Sequence, residues 1–88
     1  IGSQICPHHI GHHIGSSLHD CPNIMAENEI LRNGMCFTIE PGVYIGNNNS
    51  YVKSEYHNIG VRIEDCCAIR NGRIEILSKD CPKDSESI

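Results

Sequence analysis

The chain has 88 residues, room for one small domain at most. Its 7 basic and 11 acidic side chains give a net charge of -4 with histidine neutral, and the basic ones are scattered, which argues against a nucleic-acid or anionic-membrane surface. No apolar run approaches the ~20 residues that a membrane-spanning helix needs.

Position 1 is Ile rather than Met, and residues 1–6 carry no recognisable start, so the sequence reads as a fragment. Through residues 7–14 the glycines at 11 and 15 interrupt any helical period, and short extended pieces joined by glycine are expected. Residues 18–20 read as a further short strand and residues 21–23 as a turn. Residues 26–32 read as one helical turn or an irregular loop, closed by Asn33–Gly34. Residues 35–40 form the clearest strand, with Phe37 and Ile39 on one face and Cys36, Thr38 and Glu40 on the other. Pro41 and Gly42 bend the chain, residues 43–45 resume an extended path, and the polar stretch 46–58 reads as an exposed loop.

Residues 60–69 form a second strand region, with Val61 and Ile63 pointing one way and Arg62 and Glu64 the other. The alternation blurs at 65–67, which suggests a bulge or bend. Asn71–Gly72 is a hairpin signal and residues 73–77 are its returning strand. Residues 78–88 are polar and are expected to hang loose at the surface. The chain thus divides into a folded part, residues 1–78, and a tail, residues 79–88.

Six cysteines at 6, 21, 36, 66, 67 and 81 show no CxxC spacing. Cys36 and Cys66 lie in apolar strand-like runs, where a thiol packs as a small hydrophobe. Reduced cysteines are expected rather than a disulfide framework or a structural zinc site.

Five of the six histidines (8, 9, 12, 13 and 19) crowd into residues 7–20. A carboxylate on an inward strand face is costly unless it is paired or metal-bound. Taken singly, Glu40 could face water, and Glu64 could simply pair with Arg62 two residues away on the same face. Five histidines within twelve residues, spaced by glycine, favour a metal site. One imidazole with carboxylates is an oxygen-rich donor set that favours Mn2+ over thiolate-type zinc.

The ordered strings PHHIGHHIGSSLHD, GMCFTIEPGVYI and GVRIED resemble the creatinase-like metallopeptidases, the pita-bread enzymes that include aminopeptidase P, prolidase and methionine aminopeptidase. The CPHH opening and the LS–DCPK tail echo Xaa-Pro aminopeptidases of the mitochondrial type. The resemblance implies an α+β chain, the C-terminal part of a pita-bread fold, mostly antiparallel strands here. It implies two divalent metal ions, Mn2+ favoured, with His12, Glu40 and Glu64 as ligands. It makes His19 the residue that binds the scissile carbonyl and stabilises the tetrahedral intermediate. Glu40 becomes a proton relay, His8 a wall of the proline pocket, and Arg62 an orienter of ligands and substrate. The implied reaction is hydrolysis of an Xaa-Pro bond at a peptide N-terminus by a hydroxide bridging the metals, in a mitochondrial or cytoplasmic enzyme whose full-length form allows a homodimer. Neither nucleic acid nor membrane is an expected partner.

The family's two Asp ligands lie upstream of these motifs. Asp20 and Asp65 belong to the His19 and Glu64 motifs and are not substitutes, so this fragment alone is expected to be inactive. His9 and His13 have no role in the family metal set and read as structural or surface residues. Tyr44 is expected to pack near the site. A prolidase-type dipeptidase and a non-catalytic binding module on the same fold stay open as alternatives.

Overall fold

The computed structural model describes residues 5–20 and 30–86. The expected turn at 21–23 and most of the 26–32 segment lie outside these residues. Among the described residues the chain forms five strands, β1 (Cys36–Ile39), β2 (Gly42–Ile45), β3 (Ile59–Arg62), β4 (Asp65–Arg70) and β5 (Arg73–Ile76), with a 3-10 turn at Ser54–Tyr56. β1, β4 and β5 make a sheet in the order β1-β4-β5, and β2 pairs with β3 in a second unit. Every pairing is antiparallel. No helix among the described residues is long and apolar enough to cross a membrane.

The two units are one bent hairpin. Ile39 pairs with Asp65 at the end of the β1–β4 ladder, and Gly42 with Arg62 at the start of the β2–β3 ladder. Counting inward from either side puts Glu40 opposite Glu64 and Pro41 opposite Ile63. The ladder breaks there because Pro41 has no N–H to donate. The return bond survives, from Ile63 N–H to the Pro41 carbonyl at 3.2 Å. The single strand expected over 60–69 is therefore two strands in two units. Its interruption falls at 63–64 and not at the suspected bulge of 65–67, which is regular ladder within β4.

Residues 10–14 line the free edge of β1. Ile14 N–H donates to the Cys36 carbonyl, Thr38 N–H to His12 and Glu40 N–H to Ile10, with His13 bridging antiparallel to Phe37. The extended pieces expected here are present. The strand expected at 18–20 is not. Residues 18 and 19 form a turn, and Asp20 N–H returns to the His13 carbonyl at 3.0 Å. That closure takes up the segment's backbone bonding and leaves Leu18 exposed to solvent.

β1 buries both of its faces. Phe37 is 1% exposed and packs with Cys67 and Ile69 across the ladder, with Leu31 and Met35 against them. On the other face Thr38 is 2% exposed. Ile39 shares the Phe37 face but is 36% exposed, because its ladder partner is the polar Asp65. Asn71 and Gly72 take positive φ of 52° and 73°, the conformation a two-residue I′ hairpin requires. Gly72 N–H donates to the Asn33 side chain at 2.7 Å, so the two Asn-Gly turns brace each other.

The tail is not loose. Lys83 Nζ lies 3.0 Å from Asp65 Oδ1 and donates to the carbonyls of Ser78 and Cys81. Ser78 Oγ donates to Asp65 Oδ1 at 2.7 Å. These bonds, Ser78 foremost, hold the Asp65 carboxyl below its ordinary value. Composition alone concealed this docking, since one lysine reaching back across 18 positions leaves no periodic signal. Among the described residues Cys6, Cys36, Cys66, Cys67 and Cys81 are free thiols, and burial pushes the Cys67 thiol up.

Phe37→Ala is expected to cost about 3–5 kcal/mol of folding free energy in the protein that carries this chain. A urea titration reads this as a lowered midpoint. Tyr51→Ala, on the exposed loop, stays within about 0.5 kcal/mol.

Candidate metal centre

Strand alternation and register bring the site together. Thr38 and Glu40 lie on one face of β1, and Glu64 lies opposite Glu40 on the same side. His12 sits beside Thr38 on the flanking edge segment, so its ring shares that face. The result is one imidazole and two carboxylates from three neighbouring extended segments. One ligand atom from each of His12, Glu40 and Glu64 lies within 4.8 Å of the others.

His12 is held through its backbone and its ring alike. Its N–H donates to Thr38 Oγ1 at 3.1 Å and its carbonyl accepts from Thr38 N–H at 2.8 Å, so Thr38 grips it from both sides. Its ring Nδ1 lies 3.1 Å from the His13 carbonyl. A carbonyl only accepts, so Nδ1 carries the proton and the lone pair of the neutral ring is on Nε2. That Nε2 lies 3.9 Å from Glu40 Oε2. A buried ring with an aimed lone pair, beside two acceptor-only carboxylates, is a donor set that fits a hard divalent cation.

Arg62 ties the two carboxylates together. Its Nη1 lies 3.1 Å from Glu40 Oε2 and 2.8 Å from Glu64 Oε2. The hydrogen bond from Arg62 is the largest reason the Glu64 carboxyl sits below its ordinary value, against a partial opposing effect of burial. The same bond raises Arg62. Like charges directly opposite on paired strands are destabilising, and the guanidinium offsets this.

The remaining expected site residues fall around this centre. The ring of His19 meets that of His12 edge-to-face with centroids 4.4 Å apart, and His19 is solvent-exposed on its turn. His8 stands on another side and does not join the three-ligand group. Its Nε2 lies 2.9 Å from the Tyr44 hydroxyl and its Nδ1 2.8 Å from the His9 carbonyl, so Tyr44 donates to the Nε2 lone pair. Tyr44 thus packs against the site, as expected. Two glycines make room for it, since a Cβ at Gly42 or at Gly60 would lie 2.7 Å or 2.9 Å from its ring. His9 is exposed and His13 is buried on the Phe37 side of the edge segment. His57, the sixth histidine, ties the loop by facing the carbonyls of Asn49 and Val52.

Thr38 is the site residue that sequence reasoning passed over. The signal was present, since a small polar residue two positions before Glu40 shares its face.

Residues 2–71 match the sequence model of metallopeptidase family M24. Over 85 residues the chain is 42% identical to "Xaa-Pro aminopeptidase 3" of Homo sapiens, covering 97% of this chain and 17% of that relative. Among solved structures, Pseudomonas aeruginosa aminopeptidase PepP superposes with a TM-score of 0.85 at 32% identity, over 98% of this chain and 20% of that one. Aminopeptidase P from E. coli, solved with the inhibitor Pro-Leu, gives 0.84 at 31% identity over 98% of this chain and 20% of that one. The chain therefore has part of the pita-bread architecture of aminopeptidase P and spans about a fifth or less of the length of these relatives.

Arg62→Met is expected to return the Glu64 carboxyl toward its ordinary range, read by carboxyl NMR titration of the metal-free protein. A carboxyl held low contributes stability that is full above its ordinary value and is lost as pH falls through the lowered one. Acid unfolding of the Arg62→Met variant should accordingly begin at higher pH.

Proposed function

Since the chain belongs to metallopeptidase family M24, we propose that it forms the C-terminal part of a metal-dependent aminopeptidase that hydrolyses the Xaa-Pro bond at the N-terminus of peptides. The observation that carries this reading is the gathering of His12, Glu40 and Glu64 within 4.8 Å on one strand face. Similarity to "Xaa-Pro aminopeptidase 3" supports the substrate class. So does the Pro-Leu inhibitor of the E. coli relative, which has the chemistry of the leaving half of a cleaved Xaa-Pro-Leu peptide. A mitochondrial or cytoplasmic site of action and a homodimeric full-length enzyme belong to the same proposal and rest on family likeness alone.

His12 through Nε2 and the carboxylates of Glu40 and Glu64 would hold the metal, two divalent ions in the complete enzyme. The donor set of one imidazole with carboxylates favours Mn2+. A divalent ion, when bound, supplies Lewis acidity toward a carbonyl and lowers the pKa of water. This chain's own residues do the rest. Glu40, facing the centre from the end of β1, is placed to accept a proton from the attacking water and pass it to the proline nitrogen as it leaves. His19, exposed beside the His12 ring, donates a hydrogen bond to the scissile carbonyl as negative charge develops there. Arg62 bridges the two carboxylates, holds them oriented and can turn toward substrate. His8, locked by Tyr44, presents a fixed wall to the proline side.

In the full-length enzyme Glu64→Ala should abolish Mn2+ binding by calorimetry. His19→Ala should keep the metal and lower kcat by roughly 10²–10³-fold on an Xaa-Pro peptide. Loss of metal in His19→Ala would overturn its assigned role. Residues 1–88 alone, supplied with Mn2+, should show no turnover, because one imidazole and two carboxylates do not complete a two-metal site. Normal turnover by this piece would overturn the ligand assignment.

A further inference from the structure

The LS–DCPK tail plays no part in the chemistry above, yet it reaches the strand that carries Glu64. We propose that Ser78 and Lys83 are positioning residues for Glu64, acting through Asp65 and Cys66. This inference rests on the assignment of Glu64 as a metal ligand.

At Glu64 the pairing with β1 and β2 is interrupted at Pro41, so Glu64 lies between the Ile63–Pro41 bond at 3.2 Å and the Ile39–Asp65 pair that ends the β1–β4 ladder. On the other side β4 is covered by β5, but β5 ends at Ile76. The last backbone bond past that end runs from Leu77 N–H to the Cys66 carbonyl at 2.8 Å. Toward β5, backbone pairing therefore stops at Cys66, two residues past Glu64.

Side chains of the tail take over where pairing ends. Ser78 Oγ accepts from Cys66 N–H at 3.0 Å and donates to Asp65 Oδ1 at 2.7 Å. One hydroxyl thus stands in for the next ladder carbonyl and fixes the neighbouring carboxylate. Lys83 Nζ completes the arrangement. It lies 3.0 Å from Asp65 Oδ1 and bonds the carbonyls of Ser78 and Cys81 at 3.0 and 2.7 Å. A further turn bond, Cys81 N–H to the Ser78 carbonyl at 3.0 Å, sets the path that brings Lys83 back. The side chains of Lys83 and Asp65 are 26% and 24% exposed, so solvent only partly competes. The tail is a clasp on the two residues that follow Glu64. Its release would let the carboxylate drift by the fraction of an ångström that ligand geometry does not tolerate.

The test is Mn2+ affinity of the full-length enzyme, measured by calorimetry with parallel thermal melts. Lys83→Met should weaken Mn2+ binding by about tenfold, the lower end of what loss of an outer hydrogen-bond partner does to a metal site. Lys83→Arg should restore most of it. Arg70→Met, which breaks the ion pair with Glu75 at the far end of the β4–β5 hairpin, should leave affinity unchanged even where it lowers the melting temperature. Should Lys83→Met fail to fold, Ser78→Ala gives the same reading, with weaker Mn2+ binding expected. Wild-type affinity in a folded Lys83→Met or Ser78→Ala variant overturns the clasp and leaves the peptidase reading intact. A wild-type enzyme that binds no Mn2+ overturns both.

Discussion

Two glutamates facing each other across an antiparallel pair are the constraint around which this structure is built. Glu40 and Glu64 occupy opposed positions of one continuous register. At a partly exposed surface their repulsion is of the order of 1 kcal/mol or more. A sequence that places them so needs positive charge between them. Arg62 supplies one such charge through a single nitrogen within hydrogen-bond reach of both carboxylates. His12 adds a neutral lone pair on the third side. An ordinary surface ion pair would need only one of these carboxylates, and it would not need a buried imidazole with its proton held on the far nitrogen.

The break at Pro41 is part of the same design. A straight ladder would run β1 into β2 and β3 into β4 without interruption. Pro41 removes one donor, the hairpin divides into two units, and the divide falls at the pair of carboxylates. Glycine supplies the other freedom the site needs. Gly42 and Gly60 leave the space that the Tyr44 ring fills, and Tyr44 in turn takes up the Nε2 lone pair of His8. His8 and His12 therefore differ in what their rings meet, for a local reason. Each has Nδ1 beside a neighbouring carbonyl, but the Nε2 of one is engaged by a phenol and that of the other faces carboxylates.

β1 links stability to chemistry. Its odd residue Phe37 anchors the small apolar cluster, and its even residues Thr38 and Glu40 build the site. Phe37 and Thr38 are buried on its opposite faces, and Glu40 follows directly at its end. Glu64 has no such anchor beneath it. Asp65 beside it pairs with Ile39 and also takes bonds from the side chains of Ser78 and Lys83.

Much of this was legible in the residues themselves. Period-two alternation showed β1, the shared face of Arg62 and Glu64, and Glu40 on the face opposite Phe37. Asn71–Gly72 announced its hairpin, and the density of histidines and glycines over residues 7–20 pointed to a metal. Each of these signals is local, since it depends on side-chain period or on the backbone preference of one or two residues. What tertiary structure alone decided is non-local. It turned residues 18–20 back on His13 instead of extending them. It also split the 60–69 region opposite a proline some twenty residues away, and brought Lys83 onto Asp65. A sequence pattern reports which face a side chain takes on its own strand. Which strand lies across from it, in what register, is settled only when backbone donors and acceptors find their partners.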